Sequence, residues 1–171
     1  MQLFSASEKE KEAFPFLQQG GYIRGYLGQG SESGSLDVTE QKEGFSFGSE
    51  SSGNLWPRCN ELEHRKNLVA YHALMCELEQ EVLNLLFECL GIDKSKLNSL
   101  TEHSVDSSIL RLFHYTKSQR GNLGSALHTH WGLLTLVHSP DPSVKGLQIF
   151  HQNEWIDIQP STTIWDISCK Y

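Results

Sequence analysis

The sequence predicts an α+β fold in which helices come first and strands follow. Two observations carry this. Apolar residues between Glu61 and Leu90 recur at helical spacing, whereas from Ile109 onward short runs rich in apolar, β-branched and aromatic residues alternate with turn residues. No repeat of solenoid length interrupts the pattern.

Met1 to Phe16 begins as a short helix: Ser5 or Ser7 caps it, Glu8 to Ala13 favours it, and Pro15 ends it. Gly20-Gly21-Tyr22-Ile23-Arg24-Gly25-Tyr26 is aromatic-rich and punctuated by glycine, which predicts a strand edge or an ordered loop. From Gly28 to Gly53, Gly, Ser and acids dominate, and only Lys42-Glu43-Gly44-Phe45-Ser46-Phe47-Gly48 interrupts them; the composition predicts a long loop. After Trp56-Pro57, Asn60 is a good N-cap and Glu63 completes a capping-box-like start. Leu68, Tyr71, Leu74, Met75, Leu78, Val82, Leu85, Leu86 and Cys89 then mark one long amphipathic helix, Glu61 to Leu90, stopped by Gly91 and packing against something large. His64 and His72 are expected on its solvated surface, and Cys76 and Cys89 as buried free thiols.

Past a polar connection, Ile109 to Tyr115 reads as a strand. Ser125 to Val137 reads as a strand, a turn at Gly132 and a second strand from Leu133. Gly146 to His151 and Glu154 to Ile158 read as a hairpin closed by Gln152-Asn153.

The 171 residues suffice for one domain with a real core, and 38% hydrophobic residues fit a globular chain. No apolar run reaches the roughly 20 residues that span a bilayer, and the N-terminus lacks a signal-peptide layout, so a cytoplasmic protein without membrane association is expected. A formal net charge of -7, with no basic stripe, argues against nucleic acid as a partner. The four cysteines show neither a CxxC pair nor a close Cys/His metal spacing.

Chemistry concentrates at His128-Thr129-His130. In a strand, residues i and i+2 face the same way, so the two imidazoles could hold adjacent corners of a metal's coordination sphere. By itself H-x-H is a weak signal, and paired surface or core histidines are the commoner case.

The surroundings sharpen it. Leu110-Arg111-Leu112-Phe113-His114-Tyr115 resembles the L-R-L-x-H-Y-P strand of the iron(II)- and 2-oxoglutarate-dependent dioxygenases, in the isopenicillin N synthase-like family. His128 to Leu136 resembles that family's H-T-D-x-G-x-L-T-L-L segment with one change. Gly146 to Phe150 and Glu154-Trp155-Ile156, with Pro160, resemble its G-L-Q-V hairpin and W-I-x-V-x-P ending. Upstream, Gly25-Tyr26 and Lys42 to Phe45 resemble its R-G-Y and K-E-x-F-x-F-G blocks. The resemblance implies an N-terminal helical region followed by an incomplete double-stranded β-helix, or jelly roll. By position it divides the chain into residues 1–55 and 56–108, a partial core at 109–160, and a tail at 161–171 unlike the family.

The resemblance also implies iron(II) and 2-oxoglutarate as cofactor and cosubstrate, and oxidation of a small organic substrate. It makes His128 the first iron ligand, sets His130 where the family has an aspartate, and points Tyr115 at 2-oxoglutarate. A neutral imidazole in a carboxylate's place changes metal affinity and redox tuning. The second iron histidine and the R-x-S motif of the family would lie past Tyr171, and its first strand before Met1. His138 and His151 are expected as surface residues. Such a partial jelly roll leaves an open sheet edge through which the chain could pair with a partner. A catalytically inactive fragment that acts by binding, with no cofactor held, is therefore the alternative to a dioxygenase. A plain metal module using His128 and His130 ranks last, since two ligands alone bind weakly. The substrate is not legible. Phe45, Phe47 and Trp131 are available to line a pocket, although buried aromatics are more often simple core.

Overall fold

The computed structural model describes residues 2–19, 22–32, 40–57, 62–101, 108–116, 124–130, 132–139, 141, 143, 145–159 and 166–169. Two compact units divide the chain, Met1–Leu127 and His128–Tyr171.

In the first unit, α1 (Gln2–Ser5) and α2 (Glu8–Lys11) precede β1 (Phe16–Gln19) and β2 (Tyr22–Leu27). Ser7 caps α2: its hydroxyl accepts the Glu10 N–H, and the Glu10 carboxylate accepts the Ser7 N–H at 2.9 Å. The stretch expected to be one long loop contains β3 (Lys42–Phe47), and with β4 (Leu110–Tyr115) these strands form an antiparallel sheet of order β1-β2-β3-β4. Both β2 and β3 are therefore interior strands. The block that interrupts the Gly- and Ser-rich stretch is thus the strand, and its glycine and serine serve its packing. Gly44 faces the Phe113 ring, where an added Cβ would stand 3.1 Å from Cε1. The alternate residues Glu43, Phe45 and Phe47 point the other way and are buried.

Phe45 and Phe47 belong to the core, with Leu3 and Tyr26, and Phe4, Phe14, Trp56, Leu68, Leu110 and Leu112 pack around them. Trp131 lies outside the described residues.

The long helix is observed as α3 (Leu62–Cys89), within one residue of the expected bounds, and Gly91 adopts φ 65° just past its end. Asn60 lies outside the described residues. The buried face differs from the expected one. Leu83 and Phe87 face inward, and so does His72, only 5% exposed, which corrects its assignment to the solvated surface. Its ring packs 6.0 Å from that of Phe47 and 3.8 Å from the Cys76 sulfur. Burial pushes the His72 pKa down, so the ring is a neutral core group. Leu74 and Leu85 are 61% and 62% exposed, Cys76 is only half-buried and Cys89 is exposed. His64 is on the surface as expected. A further helix, α4 (Lys94–Thr101), buries Leu97; its sequence is too polar to announce it.

In the second unit β5 (Leu134–Val137) pairs antiparallel with β8 (Asp166–Cys169), and β6 (Gln148–His151) with β7 (Glu154–Asp157). The tail that resembles no family block thus supplies a strand. The hairpin is the expected one, with Gln152 and Asn153 at φ 50° and 65°. A two-residue turn with both φ values positive matches strand twist, but it suits Gly or Asn better than Gln. Gln152→Gly is therefore expected to stabilise the hairpin by about 0.5–1 kcal/mol, read as a higher denaturation midpoint; a lower one would mean that the turn is otherwise held. Ile149, Phe150, Trp155 and Ile156 are exposed, so both faces of the hairpin carry uncovered apolar groups. No described helix is long and apolar enough to cross a membrane.

Candidate functional site

Register sets the first cluster. Lys42 pairs with Tyr115, Gly44 with Phe113 and Ser46 with Arg111, so these six residues share one face of the sheet. Arg111 Nε donates to Ser46 Oγ at 3.1 Å, its guanidinium lies 4.8 Å from the Phe113 ring centroid, and it pairs with Glu32. Lys42 Nζ stands 2.8 Å from Glu40, 4.0 Å from Glu32 and 4.9 Å from the same ring centroid. The Tyr115 ring packs 6.1 Å from that of Phe113. Partial burial, with the Glu40 and Glu32 charges adding to it, raises the Tyr115 pKa, so its hydroxyl keeps its proton at neutral pH and remains a donor.

The opposite face of the same strands holds a second ionic centre. Glu43 accepts from Lys11 Nζ, from the Tyr26 hydroxyl and, at 2.7 Å, pairs with His114 Nδ1. Burial alone would raise its pKa, but the Tyr26, Lys11 and His114 hydrogen bonds outweigh it and hold the carboxylate below its usual range.

His128 and His130 open the second unit. The strand expected around them is absent: residues 128–130 are irregular, and β5 starts only at Leu134. His128 and Thr129 are exposed, so alternation has no buried face to satisfy there, and Gly132 follows. Close sequence spacing still brings the rings together, with centroids 5.3 Å apart and planes at 35°. Among the described residues, no group of three or more His, Cys, Asp or Glu side chains is suited to hold a metal. Tyr115 belongs to the first unit and the two histidines to the second. His138 and His151 are exposed, as expected. Sequence reasoning missed the roles of Lys42, Glu40, Glu32 and Arg111. The one available signal was the strand period, which puts Arg111, Phe113 and Tyr115 on one face.

No protein-family model matches the chain. The 2-oxoglutarate-Fe(II) type oxidoreductase hxnY of Emericella nidulans is 30% identical over 119 residues, covering 64% of this chain and 33% of that protein. The 2-oxoglutarate-dependent dioxygenase citB of Monascus ruber is 28% identical over 163 residues, 81% of this chain and 49% of that protein. Among solved structures, a full-length Neurospora crassa protein in complex with alpha-KG superposes with a TM-score of 0.80 at 24% identity, over 98% of this chain and 56% of that one. The likeness shows the fold, and the α+β partial jelly roll expected from sequence holds. The chain spans about a third to a half of the length of these curated relatives.

Proposed function

We propose, on the premise that the chain belongs to the 2-oxoglutarate/iron(II) oxygenases over the stretch it shares with them, that the protein oxidises a small organic substrate with dioxygen and 2-oxoglutarate. One convergence carries the reading. A relative named for 2-oxoglutarate and Fe(II), another named for 2-oxoglutarate and a solved neighbour holding alpha-KG agree on the cosubstrate. Tyr115 is assigned to 2-oxoglutarate, its protonated hydroxyl donating to a carboxylate. His128 and His130 are assigned to iron(II), for which imidazole is a suitable donor. They do not complete a three-donor face, because the described residues offer them no third ligand.

The test is anaerobic addition of iron(II) and 2-oxoglutarate to the chain. A charge-transfer absorption band is expected, lost in His128→Ala. His130→Asp, which restores an anionic ligand, is expected to tighten iron binding by about 10-fold. A well-folded chain that gives no band removes the cofactor assignment.

A second reading, a non-catalytic binding module, is favoured by the uncovered apolar groups on both faces of the β6–β7 hairpin. It predicts co-purification with a full-length relative; a stable, partnerless monomer argues against it.

A further inference from the structure

Helix α3 is apolar over more of its circumference than the fold buries. His72, Leu83 and Phe87 turn inward and are buried. Leu74, Leu78 and Leu85 recur at i, i+4 and i+11 and so share a different face. Leu74 and Leu85 are 61% and 62% exposed, and Leu78 is half-buried. Beside this row runs an acidic one of the same spacing, each member three residues further on: Glu77, Glu81 and Glu88, all exposed. Glu79, between them in sequence, turns away and accepts the Ser108 hydroxyl at 3.2 Å. From Leu74 to Glu88 an apolar row and an anionic row thus lie side by side along about 21 Å of helix.

We propose that this face of α3 is a docking surface for a basic amphipathic helix of another protein, one whose apolar row is flanked by lysines or arginines. Helix propensity does not account for the two rows. Leu and Glu are good helix formers, but Lys, Gln and Ala serve equally at an exposed position without placing leucine in water. Charge decides among the occupants. The same face of a second copy offers the glutamates no cation, and laid antiparallel it sets the two acidic rows against each other, which is costly. An anionic membrane surface is repelled by the same row. A helix with cations beside its apolar row matches both features at once: it covers the leucines while its cations pair with Glu77, Glu81 and Glu88. The surface lies wholly on α3, so it rests neither on the metal assignment nor on the oxidation proposed above.

The experiment uses the full chain and a fluorescein-labelled synthetic peptide of leucine and lysine, with its leucines at helical i, i+3, i+4 and i+7 spacing. Fluorescence anisotropy is expected to show saturable binding. The double variant Leu74→Gln, Leu85→Gln should weaken it by about 10-fold or more, with helix content unchanged by circular dichroism. The double variant Glu77→Lys, Glu81→Lys should weaken it by about 10-fold and flatten its salt dependence. Trp155→Ser, on the exposed β6–β7 hairpin, should leave it unchanged. A peptide of the same composition with scrambled leucines should bind about 10-fold more weakly. No saturable binding, unchanged affinity in the leucine variant, or a loss carried by Trp155→Ser instead overturns the surface. Indifference to the glutamate variant or to scrambling overturns its choice of a basic helix. Sedimentation of the chain alone supplies the last arm: a concentration-dependent dimer that Leu85→Gln abolishes gives the face to a second copy and overturns the proposal.

Discussion

Replacing Glu43 by alanine is expected to cost the folded chain about 3–5 kcal/mol, the range for removing one partner of a buried ion pair. Glu43 is 4% exposed and the facing Lys11 is buried too, with the ammonium 2.9 Å from the carboxylate. Alanine leaves that ammonium without its anion and strips the Tyr26 hydroxyl and His114 of their shared acceptor. Glu43→Gln, which keeps an acceptor, is expected to cost less. The pH dependence has a definite sign. Because the folded carboxylate is held below its ordinary range, its contribution is present above the unfolded value, near 4.3, and is lost as pH falls through the folded one. Acid titration of stability should therefore show a component below about pH 4 in the wild type that Glu43→Gln lacks. A cost under about 1 kcal/mol in urea unfolding would mean that Lys11 escapes to water.

Gly25→Ala is expected to be comparably damaging, at about 2–5 kcal/mol, combining left-handed strain with a backbone clash. Gly25 has φ 90°, and a Cβ there would lie 2.1 Å from the Pro15 carbonyl oxygen. That oxygen already accepts the Tyr26 N–H at 3.1 Å, and Gly25 pairs with Phe16 across β1 and β2. Relief would require shifting backbone rather than a side chain. A melting temperature within about a degree of wild type would refute the clash.

Much of the scaffold was legible because local rules set it. The α3 bounds, the β4 strand and the β6–β7 turn follow from periodicity, a glycine stop and a two-residue loop, none of which needs a distant partner. What escaped was decided at a distance. The buried face of α3 carries His72, packed against Phe47, together with Leu83 and Phe87, while Leu74 and Leu85 stay out, though leucines mark both sides. The β3 strand hid because Gly44 and Ser46 answer to Phe113 and Arg111, far along the chain. The site was legible only in part. His128, His130 and Tyr115 stand in recognisable blocks, whereas Glu40 and Lys42 meet Ala126 and Ser125 only once the chain has folded. H-x-H spacing brings the two rings together even without the strand that was expected to do it.

The pairing of β5 with β8 also bears on the order of assembly. The β6–β7 hairpin lies in sequence between those strands and needs only its own two-residue turn, so it can close in about 1–10 μs. Once formed, it brings Gln148 and Asp157 side by side and shortens the chain that must be looped to unite Val137 with Asp166. The entropy of that closure falls accordingly. Zipping from the inside outward is thus the expected route. A turn substitution that slows the hairpin should delay the β5–β8 contact as well, though it touches neither strand.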